Sequence, residues 1–381
     1  MMSGNSEDHT MKRLVHVWLL MALVVMLGAL GAAPTMAADK PRPDAPVQGK
    51  VVPETSIVKL KDNVSAESVL GGSGISPKHV YSKVIKGFTA RLKPEQLQAL
   101  QSNPNVELIE PDQEVTIDAT QSPATWGLDR IDQQNLPLSN SYTYNTTAST
   151  VHAYIIDTGV QPGHPEFGGR ASTVYGNDDC NGHGTHVAGT IGSATYGVAK
   201  DVRLYGVQVL DCAGSGAWSG VIAGMDWVAL YGNRPAVANM SLGGGYNASV
   251  NAAAANLSNS GVFVAVAAGN DYGANSCNYS PASAANVTTV GATNSSDGVA
   301  YFSNVGSCVE IYAPGESITS TYPTNSTAVL SGASMATPHV AGVAALYKAT
   351  YGDAPWSTIN SWLINSGTPF SFGRLLYTNG L

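Results

Sequence analysis

Charge is what this sequence has least of. Only 12% of its 381 residues are Asp, Glu, Lys or Arg, about half the usual share of roughly 25%. The 19 bases are scattered, with no Lys/Arg-rich run, and 27 acids outnumber them to give a net charge of -8. Nucleic-acid binding is therefore excluded as the main function, because a phosphate backbone is held by a concentrated basic face. Cysteine is scarce too, with four residues and no C-x-x-C pair, which argues against metal ligation by thiolates. There are no internal repeats, and after residue 30 no apolar run is long enough to cross a bilayer. What is abundant is apolar residues, 44% of the chain. At about 150 residues per domain the length allows two or three folded units with a real core.

The scarcity of charge is uneven. Residues 1–118 hold 12 Lys+Arg and 13 Asp+Glu, leaving only 7 and 14 for the 263 residues from 119 to 381. The second piece fills instead with Gly, Ala, Ser, Asn and Tyr, as if two kinds of protein were joined near residue 119. At the start, Met11-Lys12-Arg13 precedes an uncharged run from Leu14 to Leu30 and a small-residue end, Thr35-Met36-Ala37-Ala38. Basic flank, apolar stretch and Ala-rich site together read as a secretory signal peptide, residues 1–37, cut at Ala37 or Ala38. An uncleaved anchor is the alternative, since 17 residues lie at the lower limit for a span. Cleavage makes the mature protein soluble, secreted and free of the membrane. The four cysteines, Cys180, Cys212, Cys277 and Cys308, all lie in the low-charge piece, and an even count in an exported chain reads as disulfides. Three pairings are possible. The sequential one closes two loops of similar size, each worth about 3 to 4 kcal/mol by loop entropy.

Between a Pro-rich link (Pro41 to Pro53) and residue 118 the pattern is that of a small α+β unit. Strands are predicted at Ser56–Leu60, Val80–Leu92, Val106–Ile109 and Val115–Ile117, and a short helix entered through Pro at Pro94–Leu100. Alone, such a unit has a thin core. In the large piece, β-rich runs at Val151–Ile156, Val202–Leu210, Val237–Met240, Val262–Ala267 and Val287–Val290 are interleaved with helical patterns at Thr185–Ile191, Gly220–Leu230, Ser249–Ser260 and Met335–Thr350. Near-continuous apolar strands separated by helices predict a parallel sheet covered on both faces, a three-layer α/β/α architecture. Ligands of such sheets gather at the carboxyl ends of the strands.

That rule selects four places. Asp157 follows directly on Ile155-Ile156. His183 sits between two glycines in Asn181-Gly182-His183-Gly184-Thr185-His186. Asn270 ends the strand through Ala267-Ala268-Gly269. Ser334 opens the helix in Gly332-Ala333-Ser334-Met335-Ala336. Taken singly these are a turn Asp, a His pair at metal spacing with no Glu to complete a zinc pattern, a turn Asn and a helix N-cap. Together, a serine at a helix start, a base to take its proton, a carboxylate to fix the base's tautomer and an amide to offset oxyanion charge make a nucleophilic acyl-transfer site. The α/β-hydrolase version needs Gly-x-Ser-x-Gly and the order Ser, Asp, His; here the last Gly is Ala336 and the order is Asp, His, Ser.

Tyr154-Ile155-Ile156-Asp157-Thr158-Gly159, Asn181 through Gly189 and Gly332 through Gly342 resemble the three signature blocks of the subtilisin-like serine proteases, in the family's order. Asp179-Cys180-Asn181, Leu210-Asp211-Cys212 and Ala238 through Gly244 most resemble the proteinase K branch, aqualysin in particular. The resemblance implies the subtilisin fold and a broad endopeptidase acting through an acyl-enzyme, with Ser334 as nucleophile, His183 as base and Asp157 as its orienting partner. It implies an oxyanion hole of Asn270 with the Ser334 N–H, and peptide substrates held as added strands by Ser241, Leu242 and Gly243 and by Gly214, Ser215 and Gly216. Small residues Gly243, Ala267, Ala268 and Gly269 imply room for a large apolar P1 side chain. The sequential pairing, Cys180 with Cys212 and Cys277 with Cys308, is supported by the same resemblance. Val84 through Ala90 and Val106 through Asp112 resemble the inhibitor-type prodomain of these proteases, a ferredoxin-like folding assistant. Residues 38–118 thus become linker and prodomain, folded from about 54, and 119–381 the catalytic domain, with cleavage between Asp118 and Ala119. No cofactor is expected for catalysis. A structural Ca²⁺ site is expected at Ala285, Val287 and Glu310, where Glu replaces the branch's Asp. Polypeptides and the chain's own prodomain are the expected partners, and the mature form is expected to be a monomer. An inhibitory binding protein of the same fold, or a structural surface protein, is disfavoured because no triad residue is lost and no repeats occur.

Overall fold

The protein is described here as a computed structural model, which describes residues 51–113 and 119–381, with side chains from residues 55–112 and 119–381. The signal segment, the link as far as Lys50, the strand expected at Val115–Ile117 and Asp118 of the expected cleavage site lie outside the described residues.

The N-terminal unit runs β1 (Val51–Leu60), α1 (Ala66–Leu70), β2 (Pro77–Tyr81), β3 (Gly87–Arg91), α2 (Pro94–Gln101) and β4 (Val106–Gln113). Its four strands form an antiparallel sheet in the order β2-β3-β1-β4. Val58 and Leu60 of β1 and Phe88 and Ala90 of β3 meet Val69 of α1 and Leu100 of α2 in a small core. The single strand expected over Val80–Leu92 is two strands. The chain doubles back at Ser82-Lys83-Val84-Ile85-Lys86, where Val84 is exposed and Lys86 Nζ donates to Ser82 O (2.7 Å). Helix α1 carries no long apolar period and shows only in its cap, where Ser65 Oγ accepts the Ser68 N–H.

The larger part contains β5 (Ala119–Gln121), α3 (Trp126–Ile131), β6 (Tyr142–Tyr144), β7 (His152–Asp157), β8 (Ala171–Tyr175), α4 (His183–Gly192), β9 (Arg203–Gln208), α5 (Trp218–Tyr231) and β10 (Ala236–Met240). There follow β11 (Gly244–Gly245), α6 (Ala248–Asn259), β12 (Val262–Ala267), β13 (Tyr279–Ser280), β14 (Thr288–Thr293), β15 (Ile311–Pro314), β16 (Ile318–Tyr322), β17 (Ser326–Leu330), α7 (Ala333–Tyr351), α8 (Trp356–Ser366), β18 (Thr368–Phe370) and β19 (Gly373–Leu375). Nine strands make one sheet in the order β18-β19-β15-β14-β12-β10-β7-β9-β8. It is parallel as expected except at one edge, where β18 runs antiparallel to β19.

Successive residues of a strand point to opposite faces, and both faces here are covered. Phe263 and Ala265 of β12 pack with Val187 of α4, Val340 and Val343 of α7 and Ile359 of α8. Val262, Val264 and Val266 pack on the other side with Val221 and Val228 of α5 and Val250 and Leu257 of α6. All six residues of β12 are buried, so a charge anywhere along it would be stranded in apolar surroundings. The order reverses at β7, third from one edge, which has β9 and β8 on one side and β10 and β12 on the other. This reversal of order opens a crevice at the carboxyl ends of β7, β10 and β12.

Candidate active site

Asp157 is the last residue of β7 and is fully buried. Its Oδ1 accepts the Thr158 N–H (2.7 Å) and lies 2.8 Å from His183 Nδ1. A carboxylate only accepts, so Nδ1 carries the proton and the lone pair of Nε2 faces outward as a base. Asp157 Oδ2 is buried without a hydrogen-bond partner. Burial, the largest influence on His183, pulls its pKa down. The Asp157 charge, its hydrogen bond and the nearby charge of Asp179 together outweigh burial, so the imidazole titrates above its ordinary value.

His183 opens α4, and the close approach of that helix to β7 rests on the glycine beside it. A Cβ on Gly184 would lie 2.0 Å from Gly159 O, so no larger residue fits there. Asp179, quoted above only as part of a motif, is the hub of this corner. Its Oδ1 accepts from Thr158 Oγ1 (2.9 Å), Asn181 N (2.9 Å) and Gly182 N (2.9 Å), and its Oδ2 from Thr185 N (2.8 Å) and Thr185 Oγ1 (2.6 Å). One carboxylate thereby fastens the residue after Asp157 to the helix start that carries His183. Next to it, Cys180 is bonded to Cys212, and Cys277 to Cys308, with Cα–Cα distances of 5.0 and 5.3 Å.

His186, three residues on, does not join His183 at a metal. Its Nε2 faces Ile318 O (3.0 Å) and Ala328 O (3.1 Å), tying α4 to the β16–β17 hairpin. Burial lowers its pKa to about 4. His339 in α7 is buried likewise and donates from Nδ1 to Met335 O (2.9 Å).

Ser334 is the second residue of α7, so its N–H belongs to the first turn, which has no intrahelical acceptor. Its Oγ donates to Ser241 O (3.1 Å), while Ser241 Oγ donates to Ser334 O (2.7 Å) and accepts from Asn239 Nδ2 (2.9 Å). The end of β10 thus holds the helix start by a reciprocal pair. Turning about χ1 re-aims the Ser334 hydroxyl, and hydrogen bonds of this kind commonly tighten only with substrate in place. Asn270, past the end of β12, uses Oδ1 to accept the Ala333 N–H (2.7 Å). That contact orients the amide and leaves its Nδ2 donors for another group.

From His183 a cleft of about 750 Å³ is lined by two segments, Gly214 to Gly216 and Ser241 to Gly244, and by the apolar side chains of Leu210, Trp218 and Val221. Both segments named from the sequence as substrate-binding line this single cleft. Trp218, just before the helical pattern expected at Gly220–Leu230, is the first residue of α5 and carries no sequence signal for this role.

The family profile of the subtilases matches residues 150–378, and that of the peptidase inhibitor I9 group matches residues 44–118. The chain is 45% identical to an extracellular serine proteinase of Thermus sp. over 95% of its own length and 98% of that protein's. The chain belongs to the subtilase family. It is also 48% identical to proteinase R of Parengyodontium album, over 88% of this chain and 91% of that one. Among solved structures, a cold-adapted subtilisin-like serine proteinase superposes with a TM-score of 0.66 at 49% identity, covering 68% of this chain and 99% of that chain. This subtilase is a secreted serine endopeptidase of broad specificity on the proteinase K branch, with polypeptide substrates and an I9-type prodomain as its intramolecular inhibitor.

Proposed function

We propose that Ser334, His183 and Asp157 carry the reaction and that Asn270 Nδ2 and the Ser334 N–H form the oxyanion hole. In the first step Ser334 Oγ bonds to the scissile carbonyl carbon and its proton passes to His183 Nε2. The carbonyl π pair moves to oxygen, where the two N–H donors receive it, aided by the positive end of α7. Collapse breaks the C–N bond, and His183 returns the proton to the departing amine. Water then repeats the sequence on the acyl-enzyme, releasing the acid and restoring Ser334. The observation that carries this reading is the 2.8 Å contact from buried Asp157 to His183 Nδ1, which fixes the base in the required tautomer. Substrate is held as an extended strand between 214–216 and 241–243, and the small residues Gly243, Ala267, Ala268 and Gly269 favour large apolar P1 side chains. A peptide panel varying only at P1 tests this; best cleavage after Lys or Asp overturns it.

Residues 1–37 serve as signal peptide, 38–118 as linker and prodomain, and 119–381 as the lasting enzyme, made by its own cut before Ala119. The strand order β2-β3-β1-β4 with a helix after β1 and another after β3 supports a ferredoxin-like prodomain. Ser334→Ala, expressed in a host lacking other proteases, should remain uncut, as read by intact mass and N-terminal sequencing. A cut before Ala119 in that variant refutes self-processing, and failure of a fluorophosphonate to label the mature wild type refutes the nucleophile.

Ca²⁺ bound by Glu310 and the carbonyls of Ala285 and Val287 completes the reading as a structural ion with no part in the chemistry. Glu310 supports it. Burial raises its pKa to about 7 although Thr289 N donates to its Oε2 (2.6 Å), and among the described residues no base pairs with it. A carboxylate so placed suits a hard cation, and the remaining oxygen donors of such a site are backbone and water.

A further inference from the structure

One side chain outside the signature blocks is committed wholly to the loop that carries Asn270. Asn304 is fully buried. Its N–H donates to Gly269 O (2.9 Å), its Oδ1 accepts the Asp271 N–H (2.7 Å), and its Nδ2 donates to Ala268 O (3.0 Å) and Asp271 Oδ2 (3.3 Å). Residues on both sides of Asn270 are thereby fixed to one amide. The fit depends on Gly269, whose φ is +104° and whose missing Cβ would sit 2.3 Å from Asn304 Nδ2. The contact continues along the chain, since Tyr272 N donates to Phe302 O (3.1 Å) and Gly273 N to Ser303 O (3.1 Å). Ser303 anchors the segment in turn, its Oγ accepting the Ala292 N–H of β14 (2.9 Å) and donating to Asn304 O (3.0 Å).

We propose that Asn304 is the positioning residue of the oxyanion donor, holding loop 268–271 so that Asn270 Nδ2 faces the point beside Ser334 where negative charge develops. The inference rests on the role given to Asn270 above. Asn270 itself is exposed, and among the described residues its side chain is restrained only by the Oδ1 contact to Ala333 N. Without Asn304 the loop is free to carry the amide away from the oxyanion. A donor acts in catalysis only where it is fixed before the charge appears, and displacement by about an ångström is enough to forfeit much of its effect. The loss belongs to the transition state, so it appears in kcat and leaves KM nearly unchanged.

The test is a double-mutant cycle on the full-length secreted chain: wild type, Asn304→Ala, Asn270→Ala and both together. Active sites are counted with a fluorophosphonate carried to completion, so that kcat refers to folded enzyme. Removal of an oxyanion donor costs subtilisin about a hundred- to a thousandfold in kcat. Asn304→Ala should therefore cost less, about ten- to a hundredfold, with KM within about threefold. Added to Asn270→Ala, it should cost no more than about twofold further, because its effect has lost its carrier. Equal losses in the two backgrounds, or an unchanged kcat per titrated site, overturn the proposal. An Asn270→Ala enzyme with undiminished kcat refutes instead the role of Asn270 itself. If Asn304→Ala gives no mature enzyme, Asn304→Asp is used. It keeps shape and the Oδ1 acceptor, but it sets a carboxylate against Ala268 O and Asp271. Adding Asp271→Asn then restores a donor between the two side chains and should recover kcat at least about tenfold; no recovery also overturns the proposal.

Discussion

Glu310→Gln separates burial from metal binding at one carboxyl group, because the two act on stability with opposite sign. The variant keeps shape and the oxygen that accepts the Thr289 N–H at 2.6 Å, and removes only the charge. In the metal-free protein burial lifts the Glu310 pKa from 4.5 to about 7. A group whose folded-state pKa is raised stabilises the fold fully below its unfolded value and loses that contribution as pH climbs through the folded one. At about 1.4 kcal/mol per pKa unit, ionisation of Glu310 costs the metal-free fold roughly 3 kcal/mol between pH 4.5 and 7. In EDTA at pH 8, Glu310→Gln should therefore be the more stable protein, with an advantage that shrinks towards pH 5. One kcal/mol moves the melting point of a domain near 250 residues by about 2 to 4 °C, so the expected gain is about 6 to 12 °C. In calcium the order should invert. At about a thousand times its Kd wild type gains about 4.1 kcal/mol, more than the roughly 3 kcal/mol that ionisation cost it, and the variant has lost its charged ligand. Calorimetry on fluorophosphonate-inactivated mature enzyme avoids autolysis, with one scan rate throughout because unfolding of secreted proteases is commonly rate-governed. If Glu310→Gln lowers the melting temperature equally in EDTA and in calcium, both the burial cost and the calcium assignment are wrong.

Three further outcomes follow from the geometry. The acid limb of kcat/KM should have its midpoint above pH 6.5, since the proposed mechanism needs neutral His183 and its pKa is raised; a midpoint below 6.5 refutes the balance drawn between burial and the two carboxylates. Asp179→Asn should move that limb to lower pH by removing one of those charges, and should cut kcat about tenfold or more, because an amide cannot accept from all five donors now on the carboxylate. An unshifted limb would leave Asp179 a purely structural residue. Lys200→Met should loosen strand β5, because Lys200 Nζ donates to Gln121 Oε1 (2.6 Å), Ala194 O (3.1 Å) and Gly197 O (3.2 Å) and lies 5.4 Å from the ring of Tyr142. Leaving those acceptors unmet costs about 1 to 3 kcal/mol each where they stay dry, read as faster amide exchange at residues 119–121; unchanged exchange there refutes the tie.

The parts of the fold that sequence reading reaches are those with a single physical cause. An unbroken apolar run such as Val262–Ala267 has to be a strand buried on both faces, and the chemistry at its end, Asn270, follows from the rule that places sites at carboxyl ends. Asp157 and Ser334 were legible on the same ground. The prodomain hairpin reads as one strand because its turn, Ser82-Lys83-Val84-Ile85-Lys86, carries no Gly-Asn or Asp-Gly signal and its Val and Ile continue the β-branched pattern. Edge strand β18 is three residues long, too short for a period to show. Asp179 and Asn304 were illegible for a different reason. In Asn177-Asp178-Asp179-Cys180 and Phe302-Ser303-Asn304 nothing distinguishes a hub from a turn residue. Asn304 meets Ala268, Gly269 and Asp271 only because β14 carries the chain across the sheet and back.

The scarcity of charge in the larger piece has the same origin as its sheet. Strands covered on both faces offer no position at which an ionised side chain keeps its water, so each buried charge needs a partner or a task. Arg130 meets Asp297 through two nitrogens at 2.6 and 3.1 Å, and Lys348 meets Asp353 at 2.5 Å. Asp157 is different. It is fully buried, faces no cation at rest and leaves Oδ2 without a donor. Such an oxygen costs about 1 to 3 kcal/mol or more when charged. The missing partner arises during the reaction. On the proposed mechanism His183 takes the serine proton, the imidazolium forms 2.8 Å from Asp157, and an attraction unavailable in the resting enzyme comes into play at the moment the barrier is crossed. The deficit in the ground state and the stabilisation of the transition state are two readings of one carboxylate.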